Sequence, residues 1–193
     1  AVGQQVAAQP PLTGRRRTWA FAVVAMAFVM DLLDVTIVNV ALPAIGQALQ
    51  ATAAHTAWMV AGYALAFAVL LVVGGRLGDL AGHRTMFLWG VGSFTVASLV
   101  CGMAPTASLL VAARLAQGAC AAIMVPQVLT LMQALYAPHE RVRAFTIFGL
   151  LGGVSSALGP VIGGLLVDAD LAGLGWRSVF LINLPVGLLT LVG

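Results

Sequence analysis

The chain has 193 residues, of which 61% are hydrophobic and only 8% charged, against about 25% charged in soluble domains, which excludes a water-soluble globule. A hydrocarbon core about 30 Å thick needs about 20 apolar residues per helix, so the length holds material for about six spans. The net charge of +3 comes with nine basic residues, all arginine and placed mostly at span ends, which reads as membrane topology and not as a nucleic-acid surface.

The chain opens on AVGQQVAAQPPLTG followed by Arg15, Arg16 and Arg17, a short polar stretch with proline that reads as a disordered cytoplasmic tail over residues 1–17. The apolar run from Thr18 to Pro43 is longer than the about 7 to 15 residues of a signal-peptide core and carries Asp31 and Asp34, so it is a retained first span. Further apolar runs lie at Ala57–Gly75, Thr85–Ala104, Ser108–Tyr136, Val142–Val167 and from Trp176 onward. Residues 18–193 are thus expected to form one all-α polytopic bundle of six helices. The sixth is cut at Gly193, and residue 1 is not methionine, so the chain is expected to be a piece of something longer. Pro126 and Pro160 fall inside the long fourth and fifth spans, where tilt or kinking is expected.

Orientation follows from arginines in short loops. With a cytoplasmic amino terminus, Arg15, Arg16, Arg17, Arg76, Arg84, Arg141 and Arg143 lie inside and Arg177 outside, which satisfies the positive-inside rule. Six-helix transporter halves are often built from two inverted three-helix repeats, and a Gly-Gly-x-x-x-Asp spacing recurs at the junctions this symmetry pairs, Gly74 to Asp79 and Gly163 to Asp168. In so glycine-rich a chain, chance gives such an echo as readily.

Ionisable groups at membrane depth cost about 2.5 to 3.5 kcal/mol each to insert, so those that remain face a partner or water. Asp31, Asp34 and Arg114 qualify. At about 1.5 Å per residue, Asp34 and Arg114 both fall in the outer half of the membrane, and Asp31 shares a helix face with Asp34 three residues on. A wet face on which carboxylates meet a cation suits proton coupling, because burial and attraction push protonation in opposite directions. A fixed ion pair that joins helices is the alternative. The two cysteines, Cys101 and Cys120, have neither disulfide nor metal spacing and are expected to be small core residues.

Several motifs converge on one family. Gly75-Arg76-Leu77-Gly78-Asp79-Leu80-Ala81-Gly82-His83-Arg84, at the junction of the second and third spans, resembles the loop signature of the Major Facilitator Superfamily, with His83 where the family usually has a basic residue. Arg114-Leu115-Ala116-Gln117-Gly118 resembles its Arg-x-x-Gln-Gly pattern. Gly159-Pro160-Val161-Ile162-Gly163-Gly164 is similar to the Gly-Pro-x-x-Gly-Gly motif of drug exporters, with Ser155 where glycine is commoner. Leu33 to Pro43 and Trp176 to Gly187 resemble the first-span signature and the sixth-span entry of the fourteen-helix drug/proton antiporters in that superfamily.

The resemblance implies the amino-terminal six-helix half of a plasma (inner) membrane transporter that exports hydrophobic or cationic drugs in exchange for protons, confers antibiotic resistance, and works against a carboxy-terminal half of the same protein. It implies that Arg114 serves proton transfer and that Gly75, Asp79, Gly82 and Arg84 govern conformational switching; Gly159, Pro160, Gly163 and Gly164 join that gating set, as a smooth small-residue surface with a proline bend that packs closely on a neighbouring helix. Asp79 is expected near the start of the third helix, where a carboxylate meets a positive helix end. Asn39, Met124, Gln127 and Gln133 are candidates to line a substrate cavity between the first and fourth spans, with simple helix packing as the competing reading.

A metabolite exporter or uniporter on the same scaffold is the alternative, as is a non-transporting fragment or scaffold. Catalysis by Ser155 or Ser156 with His139 fails on distance, about 20 Å along the helix axis. There is no lysine and no Gly-x-x-x-x-Gly-Lys loop, so an ion gradient and not ATP is the expected energy source. No cofactor, metal or nucleic acid is expected.

Overall fold

Backbone N–H and C=O groups in hydrocarbon are satisfied only inside helices or closed barrels, and the long apolar runs here form helices. The computed structural model describes residues 14–170 and 173–193. Five long helices come first: α1 (Gly14–Ala48), α2 (Ala53–Ala81), α3 (His83–Met103), α4 (Ala107–Leu135) and α5 (Pro138–Asp168). The sixth span is built in pieces, a 3-10 turn at Gly175–Arg177, then α6 (Ser178–Leu181) and α7 (Asn183–Val192). Six segments among the described residues are long and apolar enough to cross a membrane.

The helices outrun the apolar runs. Of the expected tail, residues 1–13 lie outside the described residues, while Gly14 to Arg17 already belong to α1. The second helix continues from Gly75 to Ala81, so the connection to α3 is Gly82 alone, at φ +91°, a conformation that suits glycine. Asp79 therefore sits in the last turn of α2 and not at the start of α3. The helix carries its polar end beyond its apolar run, where water satisfies the side chains, so an apolar count stops too early.

Side-chain caps fix two helix starts. Thr52 Oγ1 accepts from the His55 backbone N–H at the start of α2 (3.3 Å), and Thr106 Oγ1 does the same for Leu109 at the start of α4 (3.3 Å), satisfying donors the helix leaves free. His55 Nε2 also lies 3.3 Å from Ser108 Oγ, which ties those two starts together.

Packing follows the inverted-repeat expectation. The chief partner of α1 is α5, and that of α4 is α2. Exchanging the first three spans for the second three maps one pair onto the other, as inverted repeats require. Small residues set these approaches, since lipid removes the hydrophobic drive between helices and close backbone contact replaces it. A methyl group on Gly74 of α2 would strike the Ala122 carbonyl of α4, and one on Gly163 of α5 would come within 3.1 Å of the Ile37 carbonyl of α1. These are the leading glycines of the two Gly-Gly-x-x-x-Asp stretches, so the echo marks equivalent contacts.

Two apolar layers result. One holds Met30, Phe87, Phe94, Met124, Val128 and Phe148; the other holds Ile37, Ile45, Met59, Leu110, Trp176 and Phe180. Large apolar side chains such as Val72, Trp89, Leu150 and Leu165 stay exposed on the outside, as a lipid-facing surface demands. The costly charged residues lie between the two layers.

Candidate functional site

Arg114 and Gln117 stand three residues apart on one face of α4, and Asp31 and Asp34 on one face of α1. The bundle turns these faces toward each other. Arg114 Nη1 donates to Asp34 Oδ2 at 2.5 Å and to Gln117 Oε1 at 2.7 Å, and its Nε donates to the Met59 carbonyl of α2 at 3.2 Å. Its guanidinium also lies 4.3 Å from the Tyr63 ring centroid, a cation–π arrangement.

The other oxygen of Asp34 is equally engaged. Asp34 Oδ1 accepts from Gln117 Nε2 at 2.9 Å and from Asn183 Nδ2 at 2.7 Å. Both amides donate in turn to Ser98 Oγ of α3, at 2.8 and 3.2 Å, and Cys101 Sγ donates to Gln117 Oε1 at 3.4 Å. Asp31 takes a different partner, the Tyr63 hydroxyl, which donates to its Oδ1. The network draws on α1, α2, α3, α4 and the sixth span.

Its members are shut in by this chain's own helices: Asp34 is 0%, Arg114 2% and Asp31 7% exposed. A face shared by both acids and open to water is therefore not formed: Asp34 is fully enclosed, and only Asp31 keeps slight exposure. Charges removed from water are tolerable only with hydrogen bonds to their remaining lone pairs and protons. Asp34 meets that condition with three donors from two elements, Arg114 and Gln117 of α4 and Asn183 of α7. Two clefts on the bundle stay clear of the cluster: one is lined by α3, α4 and α7 around Trp89 and Ala116, the other by Pro43 and Gln47.

The remaining sequence candidates separate by environment. Met124 is buried against Gly90 of α3, where an added methyl would come within 2.8 Å of its Cα. Gln127, also buried, donates to the Gly74 carbonyl at 2.7 Å and lies 2.8 Å from His83 Nδ1 through its Oε1. Both occupy the seam between α4, α2 and α3. Asn39 and Gln133 are exposed, and Asn39 Nδ2 donates to the Val35 carbonyl at 2.7 Å.

Among the glycine-motif residues, Asp79, Gly82 and Arg84 are exposed at one end of the bundle, and Asp79 Oδ1 is 3.7 Å from His83 Nε2. A methyl placed on Gly75 would make only ordinary contact with Pro126, at 3.9 Å. Gly159 and Gly163 are buried against Thr36 and Ile37 of α1, whereas Pro160 is exposed and nothing lies within 4 Å of a methyl placed on Gly164. Ser155 Oγ donates to the Leu151 carbonyl at 2.6 Å within its own helix. Tyr63, Ser98 and Asn183 were not singled out from sequence, because an uncharged polar residue in a span has no insertion cost large enough to mark it.

A six-span bundle with a buried charge pair defines a polytopic membrane protein. The Major Facilitator Superfamily model matches residues 14–193, and the chain belongs to that superfamily, whose members are transporters and not enzymes. It is 50% identical over 188 residues to the "Probable actinorhodin transporter" of Streptomyces coelicolor, covering 97% of this chain and 32% of that protein. It is 44% identical to the "Methylenomycin A resistance protein" of the same species (93% and 38% covered) and 43% identical to the "Tetracenomycin C resistance and export protein" of Streptomyces glaucescens (96% and 34%). The chain thus spans about a third of the length of these relatives. The fold is that of a bacterial homolog of the human lysosomal transporter Spinster in an inward-facing, unoccupied conformation, with TM-score 0.80, 19% identity, and coverage of 94% of this chain and 43% of that one.

Proposed function

We propose that this chain is the amino-terminal six-helix half of a plasma-membrane exporter that moves hydrophobic or cationic compounds outward in exchange for protons, with its amino terminus in the cytoplasm. The observation that carries this reading is the enclosed meeting of Asp31, Asp34 and Arg114, where a proton taken from one side can be held away from water and released to the other after the helices shift. The names of the relatives support a drug-like substrate. Exposed Asn39 on α1 and Gln133 on α4 are the residues left free to line a substrate path, while Met124 and Gln127 hold helices together.

In the same reading, a carboxy-terminal half packs across the bundle end that presents Asp79, Gly82 and Arg84, and their contacts set which conformation is favoured. Gly159 and Gly163 let α5 slide against α1 with little steric resistance. The test uses inside-out membrane vesicles containing the intact protein, an acidic interior and a pH-sensitive dye. Adding an ethidium-type cation is expected to dissipate the gradient as the cation accumulates. Cation uptake with no proton movement would overturn the exchange and leave the uniporter reading.

A further inference from the structure

The buried cluster holds two carboxylates against one guanidinium, and the partners are unequally shared. Asp34 has the ion pair with Arg114 and two amide donors, from Gln117 and Asn183, so every hydrogen bond it makes is to a donor and suits the ionised carboxylate. Asp31 has one neutral partner, the Tyr63 hydroxyl on its Oδ1. Its Oδ2 has no hydrogen bond among the described residues, and no fully occluded side-chain oxygen or nitrogen among them lacks a partner. That oxygen therefore keeps contact with the outside, in line with 7% exposure for Asp31 against none for Asp34.

Resting on the proposed exchange of substrate for protons, we infer that Asp31, held by Tyr63, is the group that takes up and releases the transported proton, while Asp34 stays ionised against Arg114. Uptake forms an O–H bond on the free Oδ2 and turns the carboxylate into a neutral acid; Tyr63 keeps its own proton and its hydrogen bond to Oδ1. The cluster then carries equal positive and negative charge, which removes the cost of a buried charge without a counter-ion. Release restores the carboxylate and the excess negative charge.

The charged and titratable groups that face Asp31 are few. From α1 itself comes Asp34, from α2 Tyr63 and from α4 Arg114. On α3, Cys101 faces Gln117 and Arg114 and not Asp31. On α5, Gly152 lies against Phe28 and Leu32 and Phe148 stacks on Phe28, and none of these is ionisable. Arg114 is committed to Asp34, to Gln117 and to the Met59 carbonyl, and meets Tyr63 through the ring face, so a change of charge at Asp31 is felt by Arg114 through Tyr63.

The experiment is an infrared pH titration of the intact protein in lipid nanodiscs, reading the C=O band of protonated carboxyl groups over about pH 5 to 9. One buried carboxyl is expected to titrate in the wild type. Asp31→Asn is expected to abolish that band, Asp31→Glu to restore one, and Tyr63→Phe to shift its frequency because the carboxyl loses its hydroxyl partner. A band that survives Asp31→Asn, or a wild type with no titrating buried carboxyl, overturns the assignment. An Asp31 band in a protein that moves no protons with a cationic dye upholds the site while overturning the exchange. Exchange that survives Asp31→Asn does the reverse.

Discussion

Asn183 donates to the same Asp34 oxygen that accepts from Gln117, at 2.7 Å and across 149 positions of sequence. The bond joins the first span to the point where the sixth is interrupted, since α6 ends at Leu181 and α7 begins at Asn183. The sixth span is thereby tied to the charge pair. Asn183→Leu removes a donor from a fully buried carboxylate, a change that costs about 1 to 3 kcal/mol. A lower apparent melting temperature of the purified protein in detergent is expected, together with reduced transport. An unchanged melting temperature would show that the bond contributes nothing.

Arg114 and Asp34 should behave as a unit. Removing one member of a buried ion pair typically costs about 3 to 5 kcal/mol, because the other charge is left without compensation. Arg114→Met and Asp34→Leu are each expected to lower expression and thermal stability sharply. The double variant Asp34→Leu/Arg114→Met should lose less than the sum of the two, since it removes both charges from the apolar layers. Arg114→Lys keeps the charge but not the fork that reaches Asp34, Gln117 and Met59 at once, so it should recover part of the stability only. Equal losses in the double and summed single variants would mean that the pair is not coupled.

Much of this was legible beforehand, and for physical reasons. The spans could be read because a bilayer demands long apolar runs, and Asp31, Asp34 and Arg114 because charges in those runs are expensive. Which acid meets the arginine was not legible, because three-residue spacing on α1 puts Asp31 and Asp34 on one face while the rotation of α1 against α2 and α4 decides their partners. Tyr63 and Asn183 were hidden because uncharged polar side chains carry no insertion cost large enough to stand out. Asn183 did carry a weak signal: a polar residue two positions before Pro185, where the sixth span breaks. Asp79 was misplaced because α2 continues through six residues that include Arg76 and Asp79 after its apolar run ends.

The cytoplasmic end proposed for the bundle has its own fastening. Arg17 of α1 donates to both carboxylate oxygens of Glu140 on α5, at 2.9 and 2.7 Å, and its guanidinium lies 4.5 Å from the Tyr136 ring centroid. Both side chains are about a third exposed, so salt should weaken the contact. Glu140→Gln is expected to hasten proteolytic cleavage near the start of α1 at low ionic strength and to have less effect at high salt. The exchange Arg17→Glu/Glu140→Arg should restore the protection only in part, because it places a cation in the first turn of α5, where the helix end already favours an anion. A salt-independent effect would argue against the ion pair.

Gly159 and Gly164 lie in one motif but should respond in opposite ways. A methyl on Gly159 would run into the Thr36 side chain, with 2.6 Å to its Cβ, whereas a methyl on Gly164 meets nothing within 4 Å. Thr36 has little room to yield, since its Oγ1 donates to the Leu32 carbonyl at 2.9 Å and its Cβ is fixed to α1. Gly159→Ala therefore forces α5 away from α1, an overpacking that costs about 1 to 3 kcal/mol. Gly164→Ala gains helix propensity of up to about 1 kcal/mol with no clash. Melting temperatures of the two variants should fall on opposite sides of the wild type or, for Gly164→Ala, coincide with it. If α5 moves along α1 during transport, Gly159→Ala should also slow substrate movement more than its stability loss explains, while Gly164→Ala leaves the rate alone. Similar behaviour of the two variants would show that the motif acts through glycine content and not through the Thr36 contact.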